Sequence, residues 1–152
     1  MWNDRILLSA LLLFGFFSFS QSAQKPDQAA SPQAYTIPPD AVKEPNPVKP
    51  TPESIAHGKK TYGYDCAMCH GLNGDGKGDL AADMKLQLPD YRDPKSLKDM
   101  TDGELFYIIK NGKGQMPSEG DRAKADQIWD LVNYIRSFAK KEAGAKPKDE
   151  KQ

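Results

Sequence analysis

Cysteine and histidine are almost absent from this 152-residue chain, which holds two of each. Two thiols cannot supply the several bridges that staple a small secreted domain. Net charge is absent too, because 21 basic residues meet 21 acidic ones. Without a basic surface to neutralise phosphates, nucleic-acid binding is excluded as a main activity. No stretch sustains the period-two alternation of a half-buried strand, which argues against a sheet-based fold. Long apolar runs are missing as well. The one candidate, Ile6 to Phe19, would span only about 21 Å as a helix, short of a hydrocarbon core of about 30 Å.

That short run, preceded by Arg5 and followed by small and polar residues, has the layout of a secretory signal peptide over 1–23. An uncleaved anchor is the alternative, and only then would the protein meet a membrane. Residues 24–52 follow as a proline-rich linker: eight of the twelve prolines fall between Lys25 and Pro52. Such a segment is expected to be disordered or extended, reaching roughly 87 Å if fully polyproline II. The folded domain is expected over 53–142, and a polar disordered tail over 143–152.

Within the domain the pattern is helical. Thr51 and Pro52 form an N-cap and first-turn pair for a helix running toward Tyr64. Thr101-Asp102-Gly103-Glu104 is a capping box opening a second, with Leu105, Ile108 and Ile109 on one face. Ile128, Leu131, Val132, Ile135 and Phe138 mark a third, from about Ala125 to Lys141. Between the first two lies His70 to Lys98, rich in Gly, Asp and Pro. Nearly thirty irregular residues inside so small a domain need something to organise them. A large apolar prosthetic group would do so, giving Leu80, Met84, Leu86, Leu88 and Tyr91 a surface to pack on.

Both cysteines and one histidine fall in five consecutive positions, Cys66-Ala67-Met68-Cys69-His70. Cys-x-x-Cys serves zinc, a redox disulfide or covalent haem. Zinc needs four converging ligands; only His57 is available beyond the motif, and adjacent Cys69 and His70 converge poorly on one tetrahedral ion. A thioredoxin-like site wants a preceding buried strand, where this motif follows a helix. A structural disulfide closing so small a loop constrains little and leaves His70 unexplained. Haem c uses all three residues: Cys66 and Cys69 as thioether attachments, His70 as the proximal iron ligand. Attachment of haem c outside the bacterial cytoplasm agrees with the leader, so a periplasmic or otherwise exported location is expected.

The sixth iron position separates a carrier from a ligand-binding haem. Met116, in the glycine-rich "NGKGQMPSEG" with Pro117 after it, is the candidate, presented from a loop between the last two helices. Met68 lies inside the attachment motif, Met84 reads as haem packing and Met100 as local core. His57 reads as a solvent-facing helix residue.

The chain resembles the class I c-type cytochromes, particularly small monohaem bacterial domains and the cytochrome c modules of haem-copper oxidases. "CAMCHG", "NGDGKGD", "LPDYRDP", "IIKNGKGQMP" and "IWDLVNYIRSFAK" carry the resemblance, over about Ile55 to Lys140. It implies an all-α cytochrome c fold wrapped around one covalent haem, with N- and C-terminal helices crossing through Gly58 and Tyr134. It also implies His70 and Met116 as axial ligands and a non-enzymatic, monomeric electron carrier serving redox protein partners. A tethered haem c subunit of a membrane oxidase or dehydrogenase complex is the alternative, and a five-coordinate peroxidase or ligand-binding haem a further one. Relatives often have Gly-Pro where this chain has Gly78-Asp79. A main-chain carbonyl there is expected to accept the Nδ1 proton of His70.

Overall fold

The computed structural model describes residues 35–144. The expected leader and the end of the expected tail lie outside the described residues. Among the described residues six helices follow in chain order: α1 Pro39–Lys43, α2 Pro52–Asp65, α3 Ala67–His70, α4 Asp79–Asp83, α5 Asp102–Asn111 and α6 Ala125–Gly144. Among the described residues the only extended pairing is an isolated antiparallel bridge between Lys113 and Met116. The fold is all-α, as the patterning predicts.

Local chemistry fixes the helix starts. Thr51 Oγ1 accepts from Ser54 N–H at 3.2 Å, with Pro52 at the first position, where its missing N–H costs nothing. At Thr101 both halves of the capping box form: Oγ1 accepts from Glu104 N–H at 3.1 Å, and the Glu104 carboxylate takes the Thr101 N–H at 2.6 Å. α6 is the spine. Its Ile128, Trp129, Leu131, Val132, Tyr134, Ile135 and Phe138 are all buried.

α5 joins α6 through Phe106 and Trp129, stacked at 4.1 Å between centroids. Arg136 adds a polar clasp, donating to Asp102 Oδ1 at 2.9 Å and the Leu97 carbonyl at 2.7 Å. α2 crosses α6 at Gly58. A Cβ there would collide with the Asp130 carbonyl oxygen and stand 2.8 Å from Tyr134 Cβ. Tyr62 then lays its ring edge-on against both Tyr134, at 5.2 Å, and Phe138, at 5.3 Å. Such pairs add roughly 0.5–1.5 kcal/mol each beyond area burial.

The proline-rich segment departs from expectation. From Tyr35 onward it is laid against the domain: α1 packs on α5, and the chain then runs past α6. Thr101 Oγ1 donates to the Val42 carbonyl at 2.7 Å, Asn46 Nδ2 to Asn133 Oδ1 at 2.9 Å, and Asn133 Nδ2 to the Val48 carbonyl at 3.0 Å. Proline removes N–H donors but keeps every carbonyl. It also lowers the entropy lost on ordering, so a few side-chain donors suffice to hold the segment. Helix α6 continues to Gly144, slightly past the expected domain end at 142.

Substituting Gly58→Ala gains about 1 kcal/mol of helix propensity. The collision at Asp130 outweighs that gain, because overpacking typically costs about 1–3 kcal/mol or more. The expected outcome is a lower denaturation midpoint for the haem-loaded protein in guanidinium; an unchanged midpoint would contradict the crossing.

Candidate haem site

Cys66 closes α2 and opens α3, its backbone turning at φ −115°. The Cys66 carbonyl then accepts from Cys69 N–H at 3.2 Å and His70 N–H at 2.9 Å. One tight turn therefore holds Cys66, Cys69 and His70 together, with both thiols free and half-buried. Gly71 ends it with φ +76°, and the Gly71 carbonyl receives the buried Tyr62 hydroxyl at 2.9 Å.

The glycine-rich stretch curls back on this turn. Gly76 N–H donates to the His70 carbonyl at 2.9 Å and Gly78 N–H to the Cys69 carbonyl at 3.0 Å, which seats α4 against α3. Tyr91 N–H bonds the Gly74 carbonyl at 2.7 Å, returning the "LPDYRDP" strip to the motif. The Tyr91 ring consequently stacks on His70, 5.1 Å between centroids and 21° from parallel. Tyr91 is expected from sequence to pack on a cofactor, and its stack on His70 carries no sequence signal, because the twenty intervening positions hold no sustained periodicity.

The acceptor expected for His70 Nδ1 near Gly78 is not formed. Nδ1 is buried without a hydrogen-bond partner, and the ring is held by Tyr91 instead. Burial lowers the His70 pKa, which keeps the imidazole neutral and able to offer a lone pair. Burial also pushes the Cys66 thiol up to about 12, reinforced by the carboxylates of Glu119 and Asp65, so the sulfur stays uncharged. Two thiols and a neutral imidazole on one turn match the residues that hold covalent haem. The surrounding apolar side chains fit a large flat group as well: Leu80, Leu86, Leu88 and Tyr91 are all only half-buried.

Met116 stands in the turn after α5, forty-six positions beyond His70 in the chain. Lys113 N–H bonds the Met116 carbonyl at 3.1 Å and Met116 N–H returns to the Lys113 carbonyl at 3.0 Å, closing a four-residue turn. Glu119 and Gly120 N–H groups tie the following chain to the Ile109 and Lys110 carbonyls, both at 2.9 Å. Half-buried Met116 and Cys66 border the same core cluster. Met100 packs on that core too, whereas Met68 and Met84 are exposed. Glu119, three residues beyond Met116, is 3% exposed and paired with Arg122. His57 is solvent-facing as expected, with Nδ1 3.6 Å from Asp130 Oδ2.

Residues 53–135 match a family described as cytochrome c oxidase, cbb3-type, subunit III. Cytochrome c6 from Cladophora glomerata is 35% identical over 83 residues, which cover 55% of this chain and 87% of the relative. The quinohemoprotein alcohol dehydrogenase ADH IIB of Pseudomonas putida is 28% identical over 124 residues, 80% of this chain but only 16% of that protein. Among solved structures, a chain of the reducing HAO-like protein complex of Kuenenia stuttgartiensis superposes with a TM-score of 0.53 at 27% identity. The match covers 60% of this chain and 46% of that one.

Replacing Tyr62 by Phe keeps the ring packing but leaves the Gly71 carbonyl without its buried donor. A loss of about 1–3 kcal/mol is expected, read by denaturant unfolding of the haem-loaded protein. A full-stability Tyr62→Phe protein would show that the hydroxyl does not tie α2 to the cysteine turn.

Proposed function

The chain belongs to the class I c-type cytochromes, in the family described as cytochrome c oxidase cbb3-type subunit III, and binds one covalent haem c; from that premise we propose that it is a one-electron carrier with His70 and Met116 as axial ligands. When bound, haem c supplies a one-electron ferric/ferrous couple. Cys66 and Cys69 anchor it, and His70, neutral and stacked on Tyr91, offers an imidazole whose orientation is already set. The observation that carries the reading is the closed turn at Lys113–Met116, which fixes a soft thioether at the border of the core that Cys66 also lines. A ligand held in place in both oxidation states keeps rearrangement small, and a methionine favours the ferrous state. No catalytic residue is assigned, and the partners are redox proteins acting as donor and acceptor outside the cytoplasm, in a respiratory or photosynthetic-type chain.

The low-spin spectrum of the purified haem protein is expected to include the weak far-red methionine-to-iron charge-transfer band, and Met116→Ala is expected to abolish it. A high-spin ferric spectrum in the unaltered protein would favour the five-coordinate alternative and sink the carrier.

A second reading is favoured by the family's description as an oxidase subunit and by the match to part of a quinohemoprotein dehydrogenase. In it the same haem domain serves as a tethered subunit of a larger complex. Among the described residues no helix is long and apolar enough to cross a membrane, so a tether would lie in the leader. The mass of the mature N-terminus decides: retention of residues 1–23 supports the tether, and their loss supports a freely diffusing carrier.

A further inference from the structure

The proline-rich segment does more than lie on the domain surface. At its far end the Tyr35 hydroxyl donates to the Gly112 carbonyl at 2.9 Å. Gly112 caps α5, its N–H bonded to the Ile108 carbonyl at 2.8 Å, and the next residue opens the turn that carries Met116. A carbonyl at a helix C-terminus has no partner within the helix and lies at the negative end of its dipole. Tyr35 supplies the missing donor. Its ring is gripped from two sides, edge-on to Tyr107 at 6.4 Å and beneath Lys113 Nζ at 5.3 Å. Partial burial and the neighbouring Tyr107 raise the Tyr35 pKa, so the hydroxyl remains a donor across the neutral range.

The same segment is fastened at two further points, Val42 to the Thr101 cap and Asn46 with Val48 to Asn133. Gly103 permits its approach, since a Cβ there would collide with the Ala41 carbonyl oxygen. Glycine in a helix costs about 1 kcal/mol relative to alanine, so the chain forgoes helix stability where the segment comes closest. Both ends of α5 are thereby held by residues 35–48: the cap at one end, the methionine turn at the other.

We propose that residues 35–50 form a strap that positions the Met116 turn, with Tyr35 as the positioning residue acting through Gly112. The inference rests on Met116 as the axial ligand. Release of the Tyr35 contact frees the base of the turn, and Met116 then leaves the iron more often.

The test uses the full-length, haem-loaded ferric protein with imidazole as the competing ligand. Loss of one hydrogen bond corresponds to a factor of about 5, so Tyr35→Phe is expected to speed imidazole binding about 5-fold. Tyr35→Ala, which also removes the ring contacts, speeds it further. Hydrogen exchange of the Met116 and Glu119 amides rises in parallel. Ile135→Val, which thins the buried face of α6, leaves the imidazole rate unchanged; equal acceleration there would mean general loosening and overturn the proposal. Wild-type rates in both Tyr35 variants, with the charge-transfer band still lost in Met116→Ala, overturn the strap and leave the axial assignment standing. Retention of that band in Met116→Ala overturns the axial assignment and the strap with it.

Discussion

The Tyr62 side chain sits where the crossing of α2 and α6 meets the turn that holds Cys66, Cys69 and His70. Its ring packs against Tyr134 and Phe138, while its hydroxyl bonds the carbonyl of Gly71, the residue after His70. The helix crossing and the attachment turn are therefore one mechanical unit. Gly58, one turn earlier on α2, sets the distance at which that unit closes, because any side chain there would meet the α6 backbone. Burial of the phenol hydroxyl raises its pKa, so it stays a neutral donor, as a buried group must if it is not to leave an unpaired charge.

From that unit outward the chain is organised by backbone hydrogen bonds in place of long helices. The loop after His70 returns through Gly76 and Gly78 to the carbonyls of α3, and the strip around Tyr91 returns through Gly74. Few of its apolar side chains reach full burial among themselves. That pattern belongs to a wrapping segment, whose remaining apolar surface is covered by a bound group and not by another helix. His70 is held in the same economical way, by one aromatic face and burial, with Nδ1 left without a partner.

The methionine turn is held from three directions. Its own paired bridge closes it, the Glu119 and Gly120 amides bind it to the end of α5, and Tyr35 holds its base from a segment remote in sequence. Buried Glu119, paired with Arg122, adds a polar contact behind the turn. Burial raises its carboxyl above the ordinary carboxylate range, against the lowering effect of Arg122.

Much of this was legible in the sequence because it is encoded locally. The spacing of Cys66, Cys69 and His70 specifies a chemistry that few other arrangements can use. Thr51 with Pro52 and Thr101 with Glu104 mark helix starts through contacts within four residues. The three-and-four spacing on α6 declares its buried face. What the sequence could not declare were contacts between segments without periodicity. The stack of Tyr91 on His70, the burial of Glu119 and the docking of residues 35–50 each depend on where irregular backbone is brought by hydrogen bonds to distant carbonyls. Proline content made the last of these look like free chain, since composition registers the missing N–H donors but not the carbonyls that remain to be bound. The sequence alone determined the cofactor's attachment and the helices that frame it, because both follow from neighbours along the chain. Only the tertiary structure decided how the histidine is held and what braces the methionine turn, because those partners meet through the fold.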